Sequence, residues 1–314
     1  MDNKKPRITL AICTCNRTEL LTKLLESIQV SKPCDIANIE VLVVDNHKSH
    51  NAINVVQNMS DFKYSLHYIS EERAGVPYAR NTACDWCVSR SGEAIIFVDD
   101  DEVVDEYWLV KLITYYLQRK DEVSIIAGPV YAYFSRPLSK YVPDDLYRKK
   151  RSHLKTGASM KSAATNNVIF DIAVYQSRGI RFDESMPFCG GTDNMFFRQA
   201  VKEGYKIEWL KEAVCWEYFD NNRMSLLWLL RRYYRYGVSH IRITDRLHDR
   251  HRVAGLFRIH LRALMKIYVN TLKKIFTNNY RYSMVYLLVG ITKSFGIVGG
   301  LLGLYTHEYK SYHD

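Results

Sequence analysis

Three consecutive carboxylates, Asp99, Asp100 and Asp101, follow the apolar run Ile95–Val98, and Glu102 comes next. Two unit charges ~4 Å apart repel by about 4 kcal/mol at an effective dielectric near 20. A buried strand driven into such a knot needs a positive group there, or must splay its side chains into water. In an extended segment alternate side chains share a face. Asp99 and Asp101 are then expected to point one way and Asp100 the other, an Asp-x-Asp pair with a spare carboxylate between. Paired hard oxygens suit Mn2+ or Mg2+, which take one or two protein carboxylates and complete their shell with water and substrate phosphate. The competing reading is an acidic turn before a helix starting near Glu106–Trp108, favoured by the helix dipole.

Other polar groups fall at equivalent places. "RITLAICTC" (7–15) and "IEVLVVDN" (39–46) read as buried strands. "TELLTKLLESIQ" (18–29) and "GVPYARNTACDWCVSR" (75–90) read as helices, the first with Thr18 as its N-cap. Strand–helix alternation at these lengths predicts an α/β fold, a mostly parallel twisted sheet of Rossmann type with flanking helices. Ligands bind such sheets at the carboxyl ends of the strands. Thr14, Asn16, Asp45 and Asp99–Asp101 all lie at those ends. Further on, "SIIAGPVYAYF" (124–134) and "NVIFDIAVY" (167–175) read as strands. Residues 135–166 read as a long loop, whose "RKKR" (148–151) is either a phosphate contact or a solvated charge run.

Several of these stretches, in order, resemble the family 2 glycosyltransferases, inverting enzymes of the GT-A fold that use nucleotide-sugar donors. "TCNR" (14–17) is similar to the family's first-strand motif, "VLVVDN" (41–46) to its second-strand end, and "ERAGVPYARN" (72–81) to the stretch before its donor-side helix. "FVDDDE" is similar to its Asp-x-Asp motif, and "CGGTDNMFFRQAVKEGY" (189–205) to the segment carrying its catalytic base. The resemblance implies that Asp45 reads the base, uracil, and that Thr14, Asn16 and Arg17 line the nucleotide pocket. It implies that Asp99 faces the ribose or the metal and that Asp101 is the principal metal ligand, with Asp100 spare. Arg73 or Arg80 would meet the diphosphate or, with Asn81, pin the loop. Asn166 and Asn167 fall where the family contacts the donor sugar. Asp193 is the implied base; it could equally cap the helix that follows. Two positions depart from the family pattern: Thr192 replaces an acidic residue before the base, and Glu217 stands where many members place a metal-side histidine. Glu217 is therefore a candidate metal ligand.

The chain has 314 residues, 47% hydrophobic and 25% charged, which suits one large domain or a domain with an appendage. Residues 223–314 carry 16 Lys and Arg against 4 Asp and Glu, while residues 1–222 hold 28 against 30. A nearly neutral catalytic domain (1–222) thus precedes a basic helical extension (223–314) whose expected partner is anionic, a phosphate or a membrane face. In "LRALMKIYVNTLKKIF" (261–276) an apolar arc is flanked by Arg262, Lys266 and Lys273, the composition of a helix in a membrane interface. "SMVYLLVGITKSFGIVGGLLGLY" (283–305) reaches spanning length, but Lys293 and five glycines favour an interfacial helix or hairpin over a span. Its "GGLLGLYTHEY" end resembles the tails of bacterial transferases of this family that extend lipid-linked glycans. The resemblance implies a donor that is UDP-linked and, through its tail, a lipid-linked glycan acceptor and a place at the cytoplasmic face of the plasma membrane. No signal peptide is expected ahead of the first apolar run. Seven irregularly spaced cysteines fit a reducing compartment, with Cys84 and Cys87 as buried thiols. The rivals are a phosphohydrolase or nucleotidyltransferase using the same aspartates, and a nucleic-acid-binding protein using the basic tail. No Gly-rich phosphate loop or histidine–aspartate metal set supports the first, and the aliphatic stretches of the tail are not what duplex DNA needs, so no nucleic-acid partner is expected.

Overall fold

The computed structural model describes residues 4–147, 153–177, 180–188, 190–247, 253–277 and 282–304. The basic run at 148–151, Cys189 and the residues after 304 lie outside the described residues.

β1 (Arg7–Thr14), β2 (Asn38–Asp45), β3 (Ser65–Ser70) and β4 (Ala94–Asp99) are the apolar runs with polar tips, and they pair in parallel in the order β3-β2-β1-β4. α1 (Thr18–Val30), α2 (Ala52–Gln57) and α3 (Val76–Ser89) make the crossovers between them. α1 buries Leu21, Leu24, Leu25 and Ile28 against the sheet, the stripe its 3.6-residue spacing dictates. Its N-cap is Arg17 rather than Thr18, because Asn16 turns the chain with a left-handed φ of 53°, a conformation asparagine tolerates well.

Beyond Asp99 the chain makes the short β5 (Glu102–Val104), α4 (Trp108–Arg119), β6 (Ile125–Ala127), β7 (Val130–Phe134) and β8 (Ser159–Met160). There follow β9 (Asn167–Asp171), α5 (Ile172–Gln176), α6 (Thr192–Lys202), β10 (Ile207–Trp209) and β11 (Cys215–Phe219). The segment 167–175 is therefore a strand that turns into a helix, with the Asp171 side chain accepting from the Ala173 amide as the cap. The main sheet runs β3-β2-β1-β4-β9-β6-β10-β8, with β9 antiparallel to both neighbours, and a small second sheet runs β5-β11-β7. Apolar cores cover both faces of the main sheet. Cys84 and Cys87 are buried on α3, and burial pushes the Cys87 thiol up to about 11.

α7 (Leu226–Leu247), α8 (Val253–Thr277) and α9 (Ser283–Leu301) complete the fold. A third core joins Leu229 of α7 and Val285, Tyr286 and Val289 of α9 to Leu146, Tyr147 and Phe219 of the body. α7 and α9 cross where Gly237 meets Gly296; a Cβ on Gly237 would collide with the backbone of Lys293 and Ile297. The glycines of 283–305 thus include contact points for close helix packing. The outward side of α9 keeps an apolar stripe: Met284, Leu287, Ile291, Phe295 and Val298 are all exposed.

Candidate active site

The tips of β1 and β4 and the start of α6 open onto one cleft of about 780 Å³, with α7 as its far wall. β4 ends at Asp99, and Asp100 and Asp101 occupy the turn before β5. The period-two alternation expected of an extended chain stops there, which corrects the view of Asp100 as a spare facing away. All three aspartates line the cleft. Asp100 accepts from Thr14 Oγ1 (2.8 Å) and from Arg17 Nη1 (3.0 Å). Burial and the neighbouring Asp101 push its carboxyl above the usual range, while Arg17 and Thr14 resist. The turn is held by Glu102, buried, which accepts from the Asp99 amide (3.3 Å) and from Asn166 Nδ2 (2.9 Å).

The positive charge that three adjacent carboxylates demand comes from the chain itself. Arg17 reaches Asp101 at 3.5 Å, and Arg223, 122 residues further on, donates to Asp101 Oδ2 at 2.7 Å. The same Arg223 guanidinium donates to Glu217 Oε1 at 2.5 Å and lies over the Phe219 ring, 4.6 Å from its centroid. Glu217 and Asp101 therefore share one arginine. Arg80 also lines the cleft, donating to Thr192 Oγ1 (3.2 Å) with Asp99 at 3.9 Å. Thr192, where the family has an acid, thus receives an arginine.

Asp193 stands in the first turn of α6. The cap is Gly191, at φ 101°, so Asp193 is not the cap; its Oδ1 accepts from the Asn194 amide (2.7 Å). A side chain at position 191 would be strained by that φ and would sit 3.0 Å from Ile243 Cδ1 of α7.

Other expected residues lie elsewhere. Asn167 is not in the cleft: it is buried, donating to the carbonyls of Pro129 (2.9 Å) and Ala213 (2.7 Å) and accepting from Trp108 Nε1 (2.9 Å). Its neighbour Asn166 takes the cleft position, since adjacent residues entering a strand face opposite ways. Arg73 is outside the cleft too. It forks onto Glu71 (2.8 and 2.9 Å) and lies over Tyr78, so it pins its loop. Asn16 is exposed and serves the turn. Asp45 is 1% exposed and accepts from the His47 and Ala52 amides (3.2 and 3.1 Å) and from Tyr68 (3.3 Å); Asn46 lines the cleft beside it. Burial raises the Asp45 carboxyl against those bonds. Cys13 and Cys15 also line the cleft, but burial pushes them up to about 12 and about 11, so neither supplies a thiolate near neutrality.

Arg198, Arg223, Arg232 and Arg235 line the cleft and were not singled out by the sequence motifs. For the last three the signal was present in "RMSLLWLLRRYYRYGVSH" (223–240): Trp228, Arg232, Arg235, Tyr236 and Ser239 fall on one face of α7, polar and aromatic rather than aliphatic. Among the described residues no three His, Cys, Asp or Glu side chains form a cluster able to hold a metal unaided. Asp99 and Asp101, hard oxygens on one wall, do fit Mn2+ or Mg2+ whose remaining ligands are water and a donor diphosphate.

Comparison with known proteins agrees with this geometry. The "Succinoglycan biosynthesis protein ExoM" of Rhizobium meliloti (strain 1021) is 27% identical over 244 residues, 77% of each chain. The mannosyltransferase PcManGT from Pyrobaculum calidifontis, solved with GDP-Man and Mn2+, superposes with a TM-score of 0.62 at 17% identity, over 95% of this chain and 88% of that one. S. aureus TarS 1-349, solved with UDP-GlcNAc, gives 0.55 at 14% identity, over 95% and 93%. At such identities the two structures speak for the fold, and that fold is GT-A. The family model described as "Glycosyl transferase family 2" matches residues 9–204, well over half of the chain, which therefore belongs to that family and is a glycosyltransferase.

Proposed function

We propose that this glycosyltransferase is metal-dependent and inverting, moving a sugar from a UDP-linked donor to a lipid-linked glycan in bacterial surface polysaccharide synthesis. The observation that carries the proposal is the shared cleft, in which the Asp99–Asp101 turn and Asp193 line the same space. The succinoglycan relative supports a polysaccharide product, the TarS complex a uridine donor, and the PcManGT complex a divalent cation.

Inversion requires the acceptor oxygen to attack the sugar carbon opposite the leaving diphosphate. Asp193 takes the acceptor hydroxyl proton, a role typically worth ~10²–10⁴-fold in rate. Its bond to the Asn194 amide orients the carboxylate. Bound at Asp99 and Asp101, a divalent cation would supply charge neutralisation for the departing diphosphate. Arg17 and Arg80 add fixed positive charge on the same wall, already oriented by Asp100 and Thr192. Thr14 holds Asp100 in place, and Asn46 ties the Glu71–Gly75 loop to the strand tips through the Glu71 and Arg73 carbonyls and the Gly75 amide.

α9 is the described helix long and apolar enough to cross a membrane, yet nearly half of it is buried in the fold. Its exposed stripe, with exposed Leu261, Met265 and Tyr268 on α8, supports an interfacial seat at the cytoplasmic face of the plasma membrane. Among the described residues no feature favours phosphohydrolase, nucleotidyltransferase or nucleic-acid binding over sugar transfer.

The test is metal-dependent release of nucleoside diphosphate from a panel of nucleotide sugars with a lipid-linked acceptor present. Asp193→Asn should keep UDP affinity within about twofold and lower turnover by about 10²-fold or more. Near-normal turnover would remove Asp193 as the base, and donor affinity indifferent to chelators would remove the metal.

A further inference from the structure

The cleft is divided by charge. Its strand-tip wall carries Asp99, Asp100 and Asp101 against Arg17 and Arg80; its helical wall carries Arg198, Arg232, Arg235 and Lys293 against Asp193, with Arg223 and Glu217 at the boundary. A donor diphosphate with its cation accounts for the acidic wall. Nothing in that chemistry uses the basic one.

We propose that Arg198, Arg232, Arg235 and Lys293 form a second anion subsite, which binds a phosphate group of the acceptor while its sugar hydroxyl faces Asp193. The proposal deepens the transferase reading and rests on it. Arg232 is the first support. It is 8% exposed, clamped by the Phe219, Trp228 and Tyr236 rings, and its Nη1 is buried without a hydrogen-bond partner among the described residues. A guanidinium held this way at a cleft wall suits phosphate oxygens, whose geometry matches its donor fork.

Arg235 is the second support. Its Cδ lies 3.4 Å from where a Cβ on Gly190 would stand, and Ser239, one turn later, donates to the Gly190 carbonyl at 2.8 Å. α7 is thereby fixed against the segment that presents Asp193, so an anion on this wall is held at a set distance from the base. Lys293 gives the third. It reaches the cleft from α9, on a face of that helix away from the exposed stripe of Ile291 and Phe295. A cation from a second helix thus converges on the same wall.

Phosphate could come from a lipid diphosphate or from a phosphate-bearing polymer, and titration separates them. The full chain in detergent, saturated with UDP and Mg2+ to fill the donor half, is titrated with geranylgeranyl diphosphate, geranylgeraniol and inorganic pyrophosphate. The Arg198→Gln/Arg235→Gln double variant should bind the diphosphate probes at least about tenfold more weakly, as expected for lost charge-assisted bonds, with UDP affinity retained. Tighter binding of geranylgeranyl diphosphate than of pyrophosphate assigns the site to a lipid-linked acceptor; equal binding assigns it to a phosphate along a polymer. Equal affinity of wild type and double variant for both diphosphate probes, or geranylgeraniol binding as tightly as its diphosphate, would overturn the subsite. Failure of the wild type to bind UDP would instead overturn the reading beneath it.

Discussion

Arg223→Met isolates the charge that stabilises the aspartate turn. The arginine sits 2.7 Å from Asp101 and 2.5 Å from Glu217, and those carboxylates expose only 9% and 12% of their side chains. Removing one partner of a buried pair typically costs about 3–5 kcal/mol, because it leaves an uncompensated buried charge. Arg17 remains 3.5 Å from Asp101 and offsets part of that, so the lower end, about 3 kcal/mol, is expected. At about 2–4 °C per kcal/mol for a chain of this size class, the melting temperature should fall by about 6–12 °C at pH 8. Methionine keeps much of the apolar stem over Phe219 and Trp228, so packing loss is limited. Mn2+ alone should stabilise the variant more than the wild type, since a cation can replace the guanidinium. The assay is thermal melting at pH 8, with and without Mn2+. A deficit below about 2 °C, or one that Mn2+ leaves unchanged, would refute the electrostatic account.

Two further outcomes test other parts of the molecule. Arg73 and then Thr82 hold the Glu71 carboxyl down to about 2 from its ordinary 4.5, against the opposing effect of burial. A depressed pKa contributes stability that is present above about pH 4.5 and lost as pH falls toward about 2, so Glu71→Gln should flatten the acid limb of a stability–pH curve in that window. The Leu287→Asp/Phe295→Asp pair alters the exposed stripe of α9 and should reduce co-sedimentation with vesicles of phosphatidylcholine and phosphatidylglycerol by about tenfold while leaving UDP binding intact; unchanged co-sedimentation would remove α9 as the membrane face.

The parallel half of the sheet was legible because burial on both faces writes continuous apolar runs, and β1, β2 and β4 each end where such a run meets a polar tip. What the sequence did not disclose was direction at the points where regular structure stops. Asp100 was assigned to the far side by strand alternation, but alternation holds only while the strand does, and β4 ends one residue earlier. Asn167 and Asn166 are one register step apart, and a single step decides between core and cleft. The basic extension shows the same limit. Helical periodicity reveals that α7 has a polar, aromatic face, but not what the face looks at: Arg223, just before α7, and Arg232 and Arg235 on it line the cleft.

That placement changes what the aspartate run means. Read locally, three carboxylates in a row imply a cation brought by a ligand. In the folded chain Asp100 and Asp101 already meet Arg17, from the first strand–helix turn, and Asp101 meets Arg223, from the start of the C-terminal helices. The acidic turn is thus already partly neutralised before any donor arrives. On the proposed function, a metal–diphosphate entering the cleft would compete with Arg223 for Asp101 rather than fill an open ligand set. Such exchange would link donor binding to the position of α7, which begins just after Arg223 and carries Arg232 and Arg235 into the cleft. The close crossing of α7 and α9 at Gly237 and Gly296 fixes that position. The helices that look from sequence like a membrane appendage therefore hold one wall of the cleft, and their packing sets the charge balance that a metal and donor would meet there on the proposed function.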